Sequence, residues 1–245
     1  MKPPLREDRP QSVSHEREHV MGYDGLEQSS SAVDRPIHSC CIQKDTMMAT
    51  THALAGAAVA TVTFVLAPEY APIAVFSGFM GGVFPDLDLY RGHRRSLHFP
   101  VYYSIAVVPA VGLAVVSPSR GSIALALFLV GAALHSATDV LGGSLELRPW
   151  QGQSERAVFS HFHGRWLRPR RWIPYDGAPE DLVLAGVLAL PTYLASSGRL
   201  RQLVGFAVLV STGYTLLRKP LADAARVLAA AIPPLLRPYV PERYL

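Results

Sequence analysis

Long apolar runs with almost no charge dominate the chain after residue 46. Each run covers about 15 to 20 residues, and a helix needs about 20 to cross the hydrocarbon layer of a bilayer. Hydrophobic residues make up 49% of the chain and charged residues only 17%, which is apolar for a soluble protein. We therefore predict an all-α fold, a polytopic transmembrane bundle of about six helices formed by residues 47–245.

Prolines and glycines separate the apolar runs and set the expected helix ends. Proline interrupts the hydrogen-bonding pattern of a helix, and glycine is common just past a helix end. The pattern predicts helices over 49–67, 71–84, 99–116, 122–141, 182–195 and 203–217, followed by an amphipathic surface helix over 221–236.

Residues 1–46 differ from the rest in composition. They contain six Lys or Arg and eight Asp or Glu and show neither helical nor strand periodicity, so we expect a disordered tail. The patterned part begins abruptly near Met47 and Met48. One hypothesis is that translation starts at one of these methionines.

Basic residues indicate the orientation in the membrane. If six helices alternate in direction, 20 of the 23 Lys and Arg residues fall on one face, and only Arg120, Arg199 and Arg201 fall on the other. The richer face should be cytoplasmic, with both termini on that side of the cell membrane. The Trp and Arg residues of segment 144–181 fit a stretch at the level of the lipid headgroups, so membrane lipids are expected partners. We expect no nucleic acid partner, because no basic groove interleaved with aromatic residues is present.

One polar stretch, 84–98, stands out between two apolar runs. It contains Asp86, Asp88, His93, Arg94 and His98. Ionisable groups in apolar surroundings are costly unless they are paired or ligated, so this stretch predicts a metal site. In an extended or turning backbone, two carboxylates at alternate positions can reach one cation.

Two further histidines accompany this stretch. His135 and Asp139 are four residues apart on a predicted helix and therefore lie on the same side. Both could ligate one ion, Asp139 could orient His135, or the pair could simply satisfy itself at a helix end. His52 lies in the first turn of the first predicted helix.

All six histidines outside the tail are expected at or near the cytoplasmic face, which favours convergence on one site. His161 and His163 could be extra ligands or residues of the membrane interface. Several imidazoles with carboxylates suit zinc, and also manganese or iron, better than magnesium or calcium. The ligands that we predict for one or two ions are His52, Asp86, Asp88, His98, His135 and Asp139.

The ordered motifs resemble the YdjM-type inner-membrane-associated metal-dependent hydrolase family. The resemblance is carried by Thr51-His52, Pro85-Asp86-Leu87-Asp88, His93-Arg94 through His98, and His135-x-x-x-Asp139. It covers about residues 47–143. The family pattern around the second loop histidine has hydroxyl residues, which are absent in Leu97-His98-Phe99.

The resemblance implies a membrane-bound, metal-dependent hydrolase acting on an ester or phosphoester of a lipid or lipid-linked substrate. In this interpretation His93 would transfer protons or add a ligand, and Arg94 would stabilise developing negative charge. The alternative is a non-catalytic membrane protein whose metal site holds helices together or senses ions. A transporter is less favoured, since the ionisable residues lie at helix ends and no inverted repeat is evident.

Overall fold

The computed structural model describes residues 47–88, 92–144, 147–151, 154–233 and 235. The predicted tail, 1–46, lies outside the described residues. The described part is helical, as predicted, with one short pair of strands. Its elements are α1 (Ala49–Ala60) with a four-residue continuation α2 (Thr63–Leu66), α3 (Ala71–Val83), α4 (Pro100–Val116), α5 (Arg120–Thr138), β1 (Phe159–Ser160), β2 (Arg165–Trp166), α6 (Pro179–Ala195) and α7 (Gly198–Ala230).

Within the described residues, three helical stretches are long and apolar enough to cross a membrane, which indicates a membrane protein. They are Ala49–Leu66, Arg120–Leu141 and Gly198–Leu228. Large apolar side chains also cover much of the outer surface, for example Val65, Val108 and Leu209, which are 82%, 72% and 67% exposed. A soluble protein rarely exposes so much apolar surface, whereas lipid tails cover it at no cost.

Helices α1, α3 and α5 cross in backbone contact at the centre of the bundle. Gly56 of α1, Gly78 of α3 and Gly131 of α5 meet there, and none of the three leaves room for a methyl group. Small residues let helices approach closely and gain dispersion contacts over a large area. This close crossing brings the ends of the three helices to one region.

The start of α1 is fixed by a carboxylate from α6. Asp181 is fully buried, and its oxygens accept hydrogen bonds from the Met48 amide (2.7 Å), the Thr51 hydroxyl (2.7 Å) and the Gly177 amide (3.2 Å). Amide groups in the first turn of a helix have no partner within the helix, so an acceptor supplied by another helix satisfies one of them. The contact holds the first turn of α1, which carries His52.

The predicted break between helices 203–217 and 221–236 is wrong, because α7 continues through Pro220. Proline removes one hydrogen bond from the helix. Contacts on both sides of Pro220 hold the helix together: the Arg218 guanidinium donates to Asp176 at 2.9 Å, and Asp223 pairs with Arg148.

The segment 144–181 also differs from expectation, because it contains a small hairpin. Strand β1 pairs antiparallel with β2, with Phe159 opposite Trp166 and Ser160 opposite Arg165. Two residues per strand are too few to produce a periodic pattern, so these strands could not be predicted from the sequence. The hairpin is joined to the loop before α4 by hydrogen bonds described below.

Candidate metal centre

Five side chains from different elements meet at one buried place beside the helix ends. His52 comes from the first turn of α1, Asp86 from a 3₁₀ turn after α3, His98 from the loop before α4, His135 from the last turn of α5, and Asp139 from the 3₁₀ turn that follows. They form two groups that share His135: His52 with Asp139, and Asp86 with His98. Within each group one possible ligand atom per residue lies within 4.8 Å of the others.

Several of these buried polar atoms have no hydrogen bond. Nε2 of His52 lies 3.0 Å from Oδ1 of Asp139, and Nε2 of His98 lies 3.0 Å from Oδ2 of the same carboxylate. Nonetheless, Nε2 of His52 and both oxygens of Asp139 are buried without a hydrogen-bond partner in the described part of the chain. Such atoms are costly in a dry interior unless something else satisfies them, and a cation would do so.

The hydrogen bonds of His135 and His98 direct their second nitrogens into the centre. Nδ1 of His135 lies 2.6 Å from the carbonyl oxygen of Gly82, and Nδ1 of His98 lies 3.2 Å from Oδ2 of Asp88. A carbonyl and a carboxylate can only accept, so each Nδ1 carries the proton and each Nε2 presents a lone pair. The two Nε2 atoms are 3.2 Å apart, and their lone pairs repel unless a proton or a metal ion lies between them.

Thr138 orients His52 in the same way, with the Nδ1 proton directed away from the centre. The Thr138 hydroxyl donates to the carbonyl oxygen of Leu134 at 2.7 Å, so its oxygen is left to accept from Nδ1 of His52 at 3.2 Å. Nε2 of His52 then also presents a lone pair to the centre. Hydrogen bonds that fix the tautomer and the ring orientation are the usual support of histidine ligands.

The spacing of the donor atoms fits a small divalent cation. Four ligands at about 2.0–2.2 Å from a tetrahedral ion are about 3.3–3.6 Å apart, and neighbours around an octahedral ion are somewhat closer. From Nε2 of His135, Oδ1 of Asp86 lies 3.4 Å away and Oδ2 of Asp139 lies 3.5 Å away. The described residues therefore fit a metal ion by position, by tautomer and by chemistry. Since one lone pair binds one ion, the shared His135 ligates one ion, and a second ion would use the other donors.

Asp88, predicted as a ligand, belongs to neither group. Its Oδ1 accepts from Nδ1 of His93 at 2.8 Å, and its Oδ2 accepts from Nδ1 of His98 at 3.2 Å and from the Leu97 amide at 3.1 Å. Of the extended or turning backbone that was expected, the structure has a 3₁₀ turn, in which residues two apart point about 120° away from each other. The geometry supports an orienting role for Asp88, and direct ligation by it stays a prediction.

His93 and Arg94 lie beside the centre and not within it. His93 is 5% exposed and bonded to Asp88. Arg94 is fully buried, and its guanidinium donates to the carbonyl oxygens of Ala157 (3.0 Å) and Gly143 (3.5 Å). Arg94 thus connects the loop before α4 to Gly143, which lies just after α5, and to Ala157, which lies just before β1. Its predicted role towards a negatively charged substrate stays a prediction.

Charges in the loop residues favour a cation at this place. Burial alone would raise the pKa of Asp86, but the neighbouring His135 outweighs it and lowers the pKa to about 2. Burial alone would lower the pKa of His98, yet the carboxylates of Asp139 and Asp88 raise it above its usual value. Without a metal, these carboxylates therefore favour a proton on His98. Burial lowers the pKa of His93, which stays neutral.

Access to the centre is uneven. The side chains of His52, His98, His135 and Asp139 are 0–1% exposed, whereas that of Asp86 is 15% exposed. Asp86 is therefore the donor of the centre whose side chain solvent partly reaches. An accessible side is what a site needs if water or a substrate is to approach it.

Three groups that support the centre were not predicted from the sequence: the Gly82 carbonyl, the Thr138 hydroxyl and the Asp181 carboxylate. Thr138 precedes Asp139 and could have been found as an acceptor near a buried histidine. The Gly82 carbonyl is a backbone group, and Asp181 bonds mostly to backbone amides, which residue type does not reveal. His161 and His163 belong to neither group of donors found in the described residues.

Comparisons with family models, with curated proteins and with solved structures found no match for this chain. The resemblance to the YdjM-type family therefore stays a prediction, and the site is interpreted from its own geometry.

Proposed function

We propose that the chain is a membrane-bound, metal-dependent hydrolase that acts on an ester or phosphoester of a lipid or lipid-linked substrate at the cytoplasmic face. The observation that carries the proposal is the convergence of three imidazole Nε2 atoms and two carboxylates on one buried place with an accessible side. The donors are His52, Asp86, His98, His135 and Asp139. This mixture of nitrogen and oxygen favours zinc, manganese or iron.

A bound divalent ion would act as a Lewis acid and activate water for attack on the ester. The protein's own residues would supply the rest. Asp88 and Thr138 hold two imidazoles in the ligating tautomer. Neutral His93, held by Asp88, is available to accept a proton in the loop beside the centre. Arg94 keeps that loop in place through two carbonyl groups.

The position of the centre at helix ends supports a lipid-derived substrate. All five donors lie where α1 and α4 begin and α3 and α5 end. A headgroup phosphoester lies at the level where spanning helices leave the hydrocarbon layer, so such a bond could approach without leaving the membrane. The excess of Lys and Arg that the sequence predicts on this face supports its assignment to the cytoplasmic side.

The alternative, a closed metal site that only holds helices together, differs in one measurable respect. A structural site has four protein ligands and no open position, whereas a catalytic site keeps one for water. Five candidate donors and the 15% exposure of Asp86 favour catalysis.

Metal analysis of the detergent-purified full chain tests the site. We expect one or two equivalents of divalent metal in the wild type and a loss of metal in His135→Ala and Asp86→Ala. His163→Ala is the matched control, because His163 is exposed and outside both groups, so it should retain the wild-type metal content. Full metal content in His135→Ala would contradict the assignment.

Hydrolysis is tested separately with a phosphodiester and a fluorogenic phospholipid, with and without chelator. We expect activity that chelator removes, that added zinc or manganese restores, and that His135→Ala lacks. A protein that holds metal at this centre and hydrolyses neither class would leave the metal site standing and overturn the hydrolase proposal.

A further inference from the structure

The hairpin segment presents an exposed surface that the proposed metal chemistry does not use. Residues 157–174 contain four arginines and two histidines and no Asp or Glu. Phe162 at the turn is 60% exposed and Trp172 is 68% exposed. We call the outward-facing set of Phe162, Arg165, Arg168, Arg170 and Trp172 the docking surface; all five are exposed.

Two contacts fix the level of this surface relative to the helices. The Phe162 ring lies 6.5 Å, centroid to centroid, from that of Tyr102 in the first turn of α4. The Trp172 amide donates to the carbonyl oxygen of Leu141, just after α5, at 2.9 Å. Phe162 therefore lies where α4 begins and the Trp172 backbone lies just after α5 ends, and α4 continues from there with exposed Ile105 and Val108. Aromatic residues at such a level are typical of a membrane–water interface.

The charge of the docking surface complements anionic headgroups. Glu155 is the nearby carboxylate: it lies 4.0 Å from Arg168 and 3.1 Å from Arg171. The Arg168 side chain is nevertheless 85% exposed, so this contact does not neutralise it. Arg165 and Arg170 are exposed as well. Arginine forms paired hydrogen bonds with phosphate oxygens, and lipid phosphates lie in the interfacial layer that borders the hydrocarbon core.

The hairpin is also bonded to the loop that carries His93 and His98. The Phe159 amide donates to the Arg94 carbonyl oxygen at 2.9 Å, and the Arg95 guanidinium lies 4.7 Å from the centre of the Phe159 ring. Contact of the docking surface with lipid would therefore hold this loop at the headgroup level.

We propose that the docking surface binds anionic phospholipid headgroups of the leaflet at which α4 begins and α5 ends. Phe162 and Trp172 insert at the boundary of the acyl chains, and the arginines bind lipid phosphates. The surface thereby enriches anionic lipid around the hairpin. This inference does not depend on hydrolysis and remains testable if the protein is not an enzyme.

The test uses the full chain reconstituted in equimolar vesicles of phosphatidylcholine and phosphatidylglycerol, in which one lipid at a time is brominated close to the headgroup. The emission of Trp172 is taken as the difference between wild type and Trp172→Phe. We expect brominated phosphatidylglycerol to quench it about twofold more than brominated phosphatidylcholine, because each arginine near an anionic surface adds attraction. High salt should reduce this preference.

The variant Arg165→Gln with Arg168→Gln should bring the quenching ratio to about one. The matched control is Arg120→Gln with Arg199→Gln, two exposed arginines assigned to the opposite face, which should keep the wild-type ratio. Equal quenching by both lipids in the wild type would overturn the headgroup preference. Absence of quenching by either lipid would place Trp172 in water and overturn the docking surface altogether.

Discussion

Replacement of Asp88 by Asn tests whether this carboxylate orients the ligands or is one of them. Asp88 accepts three N–H groups, from His93, Leu97 and His98. Asparagine keeps one acceptor oxygen, and its amide nitrogen would face an N–H group across a normal hydrogen-bond distance. One imidazole must therefore lose its partner or turn, which costs about 1–3 kcal/mol for a buried donor.

This cost predicts a graded loss of metal affinity. Removal of a residue that orients a histidine ligand typically weakens metal binding about 10- to 100-fold. We therefore expect Asp88→Asn to bind metal at saturating concentration with a dissociation constant raised by that factor. Competition with a chromophoric chelator in detergent measures it, and circular dichroism verifies that the fold is kept.

Asp223→Asn is the matched control, because Asp223 is 61% exposed and pairs with Arg148 away from the centre. It should bind metal as the wild type does. If Asp88→Asn held no metal even at saturation while folding normally, Asp88 would be a ligand. If its affinity were within about twofold of wild type, the orienting role would be refuted.

Three further predictions follow from the same geometry. Gly82→Ala places a Cβ 2.6 Å from the carbonyl carbon of His52, so α1 and α3 must separate. We expect weaker metal binding and a loss of at least about 1–3 kcal/mol of stability, measured by thermal unfolding in detergent. The control Gly186→Ala should be tolerated, because its Cβ would meet nothing within 4 Å. Thr138→Val removes the acceptor for Nδ1 of His52 and should weaken metal binding about tenfold. Thr138→Ser keeps the hydroxyl and should retain the wild-type affinity for metal. Equal metal affinities of the two variants would exclude the orienting role. Because carboxylates raise the pKa of His98, a metal ion there must compete with a proton more strongly than at an ordinary histidine. Metal binding should therefore release protons and weaken as the pH falls; calorimetry in buffers of different ionisation enthalpy measures this, and heats independent of buffer would contradict it.

The helices of the bundle could be predicted from the sequence because their signals are local. Pro100 and Ser117 bound α4 as the apolar run indicated, and α3 ends at Val83, directly before Phe84 and Pro85. Loss of a backbone donor at proline and a change from apolar to polar residues act within a few positions. The break at Pro220 was the exception, since contacts from distant segments outweighed the local effect.

Some residues of the metal centre could be predicted from the sequence for the same reason. His135 and Asp139 lie on one side of α5 through helical geometry alone, and His52 at the start of an apolar helix was conspicuous by type. The apolar surroundings made any buried ionisable group a candidate.

Only the tertiary structure separated the neighbours Asp86 and Asp88. One turn of 3₁₀ helix directs Asp86 to His135 and Asp88 to His93 and His98, and residue type is identical at both positions. The tautomers of the imidazoles were likewise decided by a Gly82 carbonyl and a Thr138 hydroxyl. The sequence determined which chemical groups the apolar helices carry, because that depends on composition and local period. Which donor atoms lie close together depends on how closely α1, α3 and α5 approach. Contacts between glycines that are far apart in the sequence set that distance.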